Sequence, residues 1–580
     1  MSQLILAVHS GIHDAAAAVF FDYSAKAAVQ LERLTRRKGD GSVHPDACID
    51  EVLSIVGATR GDVDVALFSR SELDTGYYKT IRGVRRLREL YRRHVEKRPR
   101  RHMPPELIRH NTTDIDVIVD VPKLSRDSGF RADTLVRFYN HHEAHALPAL
   151  FYTAWDDALL VTADAGGDTV NYSHRYFAEG KLTTIYGGEE CLLTPMPIDS
   201  LGHAYAAATA ALGFTPLRHE GKVTGLAASG EPVVGQEIAA HFSVDAAARV
   251  QSDFADYGQM RAFIHEVLAN IRREDAAASI QQVLEDTMLL SVRRLLDAHP
   301  TRRLGLAGGI FANVKLNRRL AEQLALDEIF VFPPMSDEGL PAGAALSYLL
   351  QRDGLPHWLA QRRPLRDVYL GRDYTNAIDA ALTAAPGVRR VAELPVQAAA
   401  RRLNAGQIGA IYTGRMEYGP RALGARSILA NPSRRETHDL LNTRLDRSEF
   451  MPFAPVIAAE KAGKVFDVSP VNAYACRFMT ITCDVRPDWR EKIAAVVHVD
   501  GSARPQVIER AANPLYYDIL AAFERQSGLP VLVNTSFNVH EEPIVNQPSE
   551  CVQALVDGRI DFVVTTKGLY EAQKPVISDQ

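Results

Sequence analysis

Residues 158–169 read A-L-L-V-T-A-D-A-G-G-D-T. The run 158–164 is apolar up to Asp164, which is the pattern expected of a strand buried on both faces. The Gly-Gly pair that follows lets the backbone approach a bound group closely and point N–H groups at it. This stretch therefore predicts a central strand that carries a carboxylate and a glycine turn to a ligand.

Two other glycine-containing segments contribute to the same interpretation. L-A-G-G-I-F-A-N (306–313) follows an apolar run, and E-G-K-V-T-G-L-A (220–227) offers Lys222 to an anion. Neither is a P-loop or a G-x-G-x-x-G fingerprint, and each alone is more typical of a plain turn. Two Gly-Gly turns in a strand–turn–helix context indicate the split nucleotide site of actin/sugar-kinase folds.

Strand and helix patterns alternate along the chain, which predicts an α/β fold. A charged stretch with Gly and Pro at 352–366 marks a boundary, so we expect two domains, 1–360 and 361–580. We find no internal repeat in the sequence. The predicted strands are 3–8, 15–21, 64–69, 303–309, 329–333, 408–412 and 530–534, and the predicted helices are 275–297, 342–351 and 391–405.

The composition excludes several classes of protein. The chain has 580 residues, of which 46% are hydrophobic and 24% charged, so it is not dominated by disorder. A net charge of −5 argues against a surface built throughout for nucleic acid or anionic membrane. The five cysteines are widely spaced, which favours a reducing cytoplasm over a disulfide scaffold. We expect neither a signal peptide nor a membrane span.

The segment 80–102 is rich in arginine, and its apolar residues recur every three or four positions. This pattern predicts an amphipathic helix with a basic face. Such a helix is most often simply solvated. The alternative is a patch for an anionic ligand or RNA.

Four residues form a candidate metal site. His141 and His145 are four positions apart in N-H-H-E-A-H-A, so on a helix they share one face and can bind one transition metal. Asp164 ends one strand and Asp337 follows another, where open α/β sheets place ligand chemistry. The set suits iron, zinc or manganese. Taken singly, the histidines are as readily structural, and each aspartate as readily a turn or cap residue.

Arginine and amide side chains concentrate in turn-like segments of the C-terminal half. G-P-R-A-L-G-A-R-S contains Arg421 and Arg426, G-S-A-R-P-Q contains Arg504, and N-T-S-F-N contains Asn534 and Ser536. These donors are what a phosphate or carbamoyl group requires. Each arginine alone is more typical of a surface ion pair, but their concentration favours an anion site.

The ordered set of motifs resembles the NodU/CmcH family of carbamoyltransferases. The resemblance covers nearly the whole chain. It implies an N-terminal ASKHA-type domain (actin/sugar-kinase-like, as in tRNA threonylcarbamoyl transferases) and a C-terminal YrdC-like α/β domain. The matching segments are I-H-D-A-A-A-A-V (12–19), N-H-H-E-A-H-A (140–146), A-D-A-G-G-D (163–168), E-G-K-V-T-G-L-A-A-S-G (220–230), A-G-G-I-F-A-N (307–313), S-D-E-G-L-P-A-G-A-A (336–345), G-P-R-A-L-G-A-R-S (419–427), M-P-F-A-P (451–455), S-A-R-P-Q (502–506) and N-T-S-F-N-V-H-E-E-P-I-V (534–545).

The resemblance also implies the chemistry. Carbamoyl phosphate and ATP, with Mg, would form carbamoyl adenylate in the YrdC-like domain, and the ASKHA-type domain would pass the carbamoyl group to a hydroxyl of a small molecule, as in antibiotic biosynthesis. The implied residues are His13 as general base with Asp14 and Arg421 for catalysis; His141, His145, Asp164 and Asp337 for iron(II) or another divalent transition metal; Gly166, Gly167, Asp168, Lys222, Gly308, Gly309 and Asn313 for nucleotide; and Arg421, Arg426, Arg447, Arg504, Asn534 and Ser536 for carbamoyl phosphate or ATP.

The chain departs from the family pattern at three places. Leu445, or a deletion beside it, stands where many members have lysine, and Met451 stands where they have arginine. His540 and Glu541 replace an Arg-Gly pair. Positive groups for the donor phosphate are thereby lost, and Arg444 or Arg447 could substitute.

Several functions compete at this point. Transfer to a small-molecule hydroxyl leads, with the acceptor, carbamoyl phosphate and ATP as partners. Carbamoyl-type transfer to a tRNA base has only the basic segment 80–102 in its favour. A non-catalytic binding or scaffold protein of the same fold is favoured by the lost lysine and arginine, and a sugar kinase explains the N-terminal half alone. The sequence leaves a homodimer open.

Overall fold

The computed structural model describes residues 2–70, 73–79, 115–193, 196–446, 453–539 and 541–573. The basic segment 80–102, Arg447, Met451 and His540 lie outside these ranges, so the expectations placed on them stay predictions. The chain divides into two compact units, which we call unit 1 (Met1–Thr35 and Gly39–Leu365) and unit 2 (Arg36–Lys38 and Arg366–Gln580). Both units combine helices with sheets, which confirms the predicted α/β class.

The described part of unit 1 contains twelve strands and the helices between them. Its strands are β1 (Leu4–His9), β2 (Ala16–Phe21), β3 (Ser24–Gln30), β4 (Val65–Ser69), β5 (Leu135–Tyr139), β6 (Ala158–Gly167), β7 (Val170–Ala178), β8 (Lys181–Tyr186), β9 (Phe242–Val244), β10 (Val250–Ser252), β11 (Arg303–Ala307) and β12 (Glu328–Val331). Its described helices are α1 (Leu31–Thr35), α2 (Asp46–Ile55), α3 (Val121–Asp127), α4 (His141–Phe151), α5 (Leu201–Ala211), α6 (Glu220–Ala227), α7 (Gly235–Ala239), α8 (Tyr257–Leu268), α9 (Arg273–Ala298), α10 (Val314–Gln323), α11 (Leu340–Asp353) and α12 (Leu355–Ala360).

The two five-stranded sheets of unit 1 share one topology. Their orders are β3-β2-β1-β4-β5 and β8-β7-β6-β11-β12. In each sheet the first three strands form an antiparallel meander and the last two run parallel to the middle strand. We find no sequence repeat that matches this duplicated strand order. The order depends on the pattern of apolar residues, and many different apolar residues can form the same pattern. The duplicated order fits the predicted ASKHA-type fold.

The central strands behave as their apolar runs predict. Every residue of β1 is buried, and β6 is buried from Ala158 to Asp164. The predicted hairpin at the N-terminus is confirmed, since β1 pairs antiparallel with β2. Because β4, β5, β11 and β12 run parallel to these central strands, their C-terminal ends share an edge with them. Polar residues such as Asp164 and Asp337 lie at this edge of the sheet, after the buried parts of β6 and β12.

Unit 2 contains an eight-stranded sheet of order β14-β24-β23-β15-β17-β22-β18-β21. Its YrdC-like character stays a prediction. The strands are β13 (Tyr369–Asp373), β14 (Val388–Arg390), β15 (Gly409–Tyr412), β16 (Arg415–Glu417), β17 (Arg426–Ala430), β18 (Ala454–Ala458), β19 (Cys483–Asp484), β20 (Ser502–Ala503), β21 (Gln506–Ile508), β22 (Val531–Ser536), β23 (Phe562–Val564) and β24 (Leu569–Ala572). The helices are α13 (Thr375–Ala384), α14 (Pro395–Asn404), α15 (Glu436–Arg444), α16 (Ala459–Val465), α17 (Ala473–Arg477), α18 (Pro487–Arg490), α19 (Pro514–Ser527) and α20 (Pro548–Val556).

Within the ranges described, none of the helices combines the length and apolar character needed to cross a membrane. The five cysteines, all of which are described, are free thiols.

The packing of α11 against α4 depends on Gly343. A Cβ at this position would overlap the carbonyl oxygen of Ala144. Ala144 lies on α4 between His141 and His145. The glycine therefore lets the helix that carries both histidines sit close to α11.

We expect Gly343→Ala to force α4 and α11 apart. The free energy of unfolding should fall by about 1–3 kcal/mol, since overpacking a close contact costs that much, and chemical denaturation followed by circular dichroism measures it. Gly221→Ala is the matched control, because Gly221 lies in α6 with open space around its Cα. Equal losses in the two variants would contradict this account of the packing.

Candidate functional site

The two histidines of the predicted metal site lie on the first turns of α4. The helix follows β5, and the side chain of Asn140 caps it by accepting a hydrogen bond from the backbone N–H of Glu143 at 2.9 Å. His141 and His145 are one turn apart, and their ring centroids are 4.8 Å apart. Both rings are buried. The helical spacing read from the sequence therefore brings them together.

His142 has a different role from its neighbours. Its Nδ1 shares a 2.8 Å hydrogen bond with Thr162 Oγ1, and its Nε2 lies 3.1 Å from the carbonyl oxygen of Val170. Burial lowers its pKa to about 3. It is a neutral structural histidine whose ring packs edge-on against that of His141, with centroids 5.1 Å apart, and which is not part of the metal cluster, as the spacing predicts.

Asp164 and Asp337 complete the cluster. The ligand atoms of the two aspartates and the two histidines all lie within 4.8 Å of one another. Asp164 Oδ2 is 3.3 Å from His145 Nε2, and Asp337 Oδ1 is 3.4 Å from the same nitrogen and 3.6 Å from His141 Nε2. Asp164 ends the buried part of β6, and Asp337 follows β12, so both come from the carboxyl ends of strands.

These residues fit a divalent transition metal. In the part of the chain that the structure describes, Nε2 of His141, Nε2 of His145 and Oδ1 of Asp337 are buried without a hydrogen bond. Ligands about 2.1 Å from a tetrahedral ion lie roughly 3.4 Å from one another, which matches the observed N–O separations. Imidazole and carboxylate ligands together suit iron, zinc or manganese.

The charges of the cluster shift its pKa values. Burial alone would lower the pKa of His145, but contacts with Asp164 and Asp337 outweigh it and raise the value to about 9. The pKa of His141 is also raised, by Asp337 and Asp164 against the same burial. Burial would raise the pKa of Asp164, yet the histidines hold it well below its usual range. The two aspartates therefore favour the protonated form of the histidines when no metal ion balances their charge.

The Gly-Gly turns make room for this cluster. A Cβ at Gly167 would overlap the His141 ring. The N–H of Gly309 donates to Asp164 Oδ2 at 3.1 Å. Gly308 has a φ of +102°, which favours glycine. The roles of Gly166, Gly167, Gly308 and Gly309 in nucleotide binding stay predictions. Gly167 adjoins His141, Gly309 adjoins Asp164, and Gly308 packs against β6, the strand that carries Asp164.

Asp168 connects the start of α4 with Arg70. Its Oδ2 accepts hydrogen bonds from the backbone N–H of His141 at 2.7 Å and from Arg70 Nε at 2.9 Å. Asp168 is buried, and Arg70 also donates to Glu189 Oε2 at 2.7 Å. The carboxylate therefore fixes the N-terminus of α4, and its role in nucleotide binding stays a prediction. Sequence reasoning missed Arg70, because no local pattern connects it with residues about a hundred positions away.

Asn313 is likewise engaged by the protein itself. Its Oδ1 accepts from the N–H of Leu316 at 3.1 Å, which caps α10, and its Nδ2 donates to Gln281 Oε1 at 2.8 Å. Asn313 therefore joins the start of α10 to α9, and its role in nucleotide binding stays a prediction. Lys222 lies 5.9 Å from the centre of the Phe214 ring, and its role toward nucleotide stays a prediction.

His13 lies in the turn between β1 and β2, next to the metal cluster. Its Nδ1 donates to Asp14 Oδ2 at 3.1 Å, and its Nε2 is 4.0 Å from Asp337 Oδ2. Burial alone would lower its pKa, but Asp14 and Asp337 raise it to about 10. A second histidine, His9 at the end of β1, places Nε2 3.5 Å from the same oxygen. Asp337 thus presents Oδ1 to the histidine pair and Oδ2 to His9 and His13.

Unit 2 holds a pair of arginines. Arg421 lies in the turn between β16 and β17, and Arg504 follows β20. Burial and then the charge of Arg421 lower the pKa of Arg504. Across the described ranges, Arg504 forms no ion pair with a carboxylate, and its buried Nε has no hydrogen-bond partner. A buried guanidinium with no carboxylate partner in the described ranges favours an anion.

Arg426 is held by groups of the protein itself. Its Nη1 donates to the carbonyl oxygen of Thr413 at 2.7 Å and its Nη2 to that of Gly414 at 3.2 Å. The guanidinium also lies 3.7 Å from the centre of the Tyr412 ring. These contacts support the fold around a fully buried side chain, and the role of Arg426 at the anion site stays a prediction.

Asn534 and Ser536 also contact protein groups. Asn534 Nδ2 donates to the carbonyl oxygen of Ala422 at 3.0 Å and to Gln506 Oε1 at 2.8 Å. Ser536 Oγ donates to Asn538 Oδ1 at 2.6 Å. Asn534 therefore supports the turn that carries Arg421, and the roles of Asn534 and Ser536 toward the donor stay predictions.

The comparison with known families agrees with these motifs. The family model described as "Carbamoyltransferase N-terminus" matches residues 4–346, and the one described as "Carbamoyltransferase C-terminus" matches residues 400–571. The chain belongs to the carbamoyltransferase family. This result confirms both the predicted family and the predicted enzyme class.

Individual relatives of this carbamoyltransferase span most of its length. Nodulation protein NolNO of Sinorhizobium fredii is 30% identical over 98% of this chain and 80% of its own. Nodulation protein NolO of Bradyrhizobium diazoefficiens is 33% identical over 76% of this chain and 80% of its own. Among solved structures, HypF of T. kodakarensis is 13% identical with a TM-score of 0.34, covering 61% of this chain and 49% of that one.

We expect metal affinity to increase with pH up to about 9. The raised pKa values of His141 and His145 mean that a metal must displace protons, which gives about a tenfold gain in affinity per pH unit for each proton released. Calorimetric titration with Mn²⁺ in buffers of different ionisation enthalpy counts these protons. His241→Asn, which changes a histidine paired with Asp253 elsewhere in unit 1, should leave the count unchanged. An affinity independent of pH would contradict the assignment.

We expect Arg70→Met to weaken metal binding although Arg70 is not a ligand. The change leaves the Asp168 carboxylate buried without its cation and loosens the start of α4. Loss of such a supporting contact typically costs 10–100-fold in metal affinity, so we expect about that range. The matched control is Arg131→Met, which removes a surface arginine paired with Asp133. Wild-type affinity in Arg70→Met would show that the network does not position the ligands.

Proposed function

We propose that the protein is an ATP-dependent O-carbamoyltransferase that forms carbamoyl adenylate from carbamoyl phosphate and ATP, and that transfers the carbamoyl group to a hydroxyl of a small molecule. The observation that supports this most strongly is the position of His13, a potential proton acceptor, beside the cluster of His141, His145, Asp164 and Asp337. Transfer of a carbamoyl group from a phosphate leaving group to an alcohol requires a base, which accepts the hydroxyl proton, and a nearby cation, which stabilises the leaving phosphate.

In the proposed donor step, unit 2 binds carbamoyl phosphate and ATP. Arg421 and Arg504 bind phosphoryl oxygens, and their paired charge stabilises the negative charge that develops on phosphate. Water cleaves carbamoyl phosphate to carbamate and phosphate, and a carbamate oxygen then attacks the α-phosphorus of ATP, so that carbamoyl adenylate forms and pyrophosphate leaves. ATP enters with Mg²⁺.

In the proposed transfer step, the acceptor oxygen attacks the carbamoyl carbon and AMP leaves. Asp14 accepts a hydrogen bond from Nδ1 of His13, which fixes the tautomer whose Nε2 can accept the hydroxyl proton. A divalent metal such as iron(II) would be held by His141, His145, Asp164 and Asp337, and would supply positive charge to stabilise the leaving phosphate. That charge would offset the contribution of Asp337 and Asp164 to the raised pKa of His13, while the hydrogen bond from His13 to Asp14 would remain.

The first test needs no acceptor. We expect the protein with ATP and Mg²⁺ to exchange labelled pyrophosphate into ATP only when carbamoyl phosphate is present. Arg421→Ala should lower this exchange by about 10- to 100-fold, because an ionic hydrogen bond to phosphate is lost. Arg510→Ala, which removes an exposed arginine paired with Asp518 in unit 2, is the control.

The same assay separates the two units. His141→Ala should retain exchange but fail to transfer the carbamoyl group to hydroxylated acceptors, because the metal cluster serves only the second step. No exchange by the wild-type protein would contradict the donor step and favour a binding or scaffold role. Exchange that needs His141 would contradict the division of labour.

A further inference from the structure

The turn at residues 419–426 carries Arg421, and side chains from several other elements hold its backbone. It links β16 to β17. Gly424 has a φ of +108°, and a Cβ there would overlap the Tyr516 ring, so only glycine fits. The turn therefore has one closely defined conformation.

One carboxylate oxygen binds three N–H groups of this turn. Glu417 Oε1 accepts from the N–H of Leu423 at 2.9 Å, of Ala425 at 2.7 Å and of Arg426 at 3.1 Å. The remaining N–H between them, that of Gly424, donates to Ser427 Oγ at 3.0 Å. Four successive N–H groups are thus held by two side chains.

The carbonyl groups of the turn are held as tightly. Asn534 Nδ2 donates to the carbonyl oxygen of Ala422 at 3.0 Å. Gln506 Nε2 and the hydroxyl of Tyr369 both donate to that of Leu423 at 2.7 Å. The carbonyl oxygen of Gly424 accepts from Asn513 Nδ2 at 3.0 Å. Amide and hydroxyl donors from four separate elements therefore fix the other side of the same backbone.

The burial of the Glu417 carboxylate costs free energy. Its side chain is 2% exposed, and within the described ranges its second oxygen, Oε2, has no hydrogen-bond partner. A buried carboxylate with an unsatisfied oxygen calls for a reason to be retained. The hydrogen bonds described above supply one, since a charged acceptor binds N–H groups more strongly than a neutral one.

We propose that Glu417 is a positioning residue for Arg421, fixing the backbone of the turn that carries it before the phosphate-bearing donor arrives. This inference rests on the proposed donor step. If the turn were flexible, the donor would have to order it on binding, at a cost in affinity. A turn already held by Glu417 spares the donor this cost.

The test is the donor dependence of pyrophosphate exchange in the full-length protein. Glu417→Gln keeps the size of the side chain and one acceptor oxygen but removes its charge. We expect the KM for carbamoyl phosphate to rise about 10- to 100-fold, while kcat at saturating donor stays within about threefold. Glu417→Ala should raise KM further. Glu524→Gln, which changes the partner of Lys461 in the same unit, is the matched control and should leave KM unchanged.

A milder variant covers the case in which the Glu417 variants do not fold. Tyr369→Phe removes only the hydroxyl that donates to the turn, and we expect a KM increase of about two- to fivefold with normal thermal stability. If Glu417→Gln or Tyr369→Phe lowers the melting temperature but leaves KM unchanged, Glu417 is merely structural and the proposal is wrong.

A separate binding measurement keeps the proposal independent of catalysis. Calorimetry with inorganic phosphate should show weaker binding to Glu417→Gln than to the wild type, and Arg421→Ala defines the full loss. If the wild type binds phosphate but catalyses no exchange, the proposed function is wrong. The phosphate affinities of the wild type and Glu417→Gln still test the positioning role of Glu417 in that case. Equal phosphate binding by Glu417→Gln and the wild type would overturn the positioning role.

Discussion

Two carboxylates and two imidazoles share a buried space in which their ligand atoms lie within 4.8 Å of one another. Groups this close and this dry need a shared cation or stored protons to balance their charge. Much of unit 1 can be understood from that constraint. Gly167 makes room for the His141 ring, the N–H of Gly309 holds Asp164, and Arg70 with Asp168 fixes the start of α4. Asp337 also lies beside His13, where Asp14 and Asp337 together raise the pKa of that histidine.

Unit 2 presents the opposite electrostatic problem. Arg504 is buried, and burial and then the positive charge of Arg421 lower its pKa. Arg421 itself lies in a turn whose backbone is held by Glu417 on one side and by amide side chains such as Asn534 on the other. Each unit thus fixes charged side chains through contacts with groups that are not themselves proposed ligands. We infer that a cation completes the first arrangement and an anion the second.

The sequence was sufficient for the parts that depend on local patterns. The i, i+4 spacing predicts the histidine pair on α4, and apolar runs predict the strands that end near Asp164 and Asp337. It was insufficient where a side chain's partner lies far along the chain. Asp168, Arg426 and Asn534 look like ligand contacts in their motifs, but each is bound by protein groups that only the folded chain brings near. Arg70 and Glu417 were missed for the same reason, and the duplicated sheet order of unit 1 leaves no repeat in the residues.

The most direct test of this account is anomalous X-ray diffraction from crystals of the protein soaked with Mn²⁺ or Fe²⁺, recorded at the absorption edge of the metal. The account predicts one strong peak in unit 1, about 2.0–2.2 Å from Nε2 of His141, Nε2 of His145 and a carboxylate oxygen of each of Asp164 and Asp337. A peak held by other residues, or the absence of a peak at this cluster when the metal is saturating, would contradict the central claim that these four side chains form one metal centre.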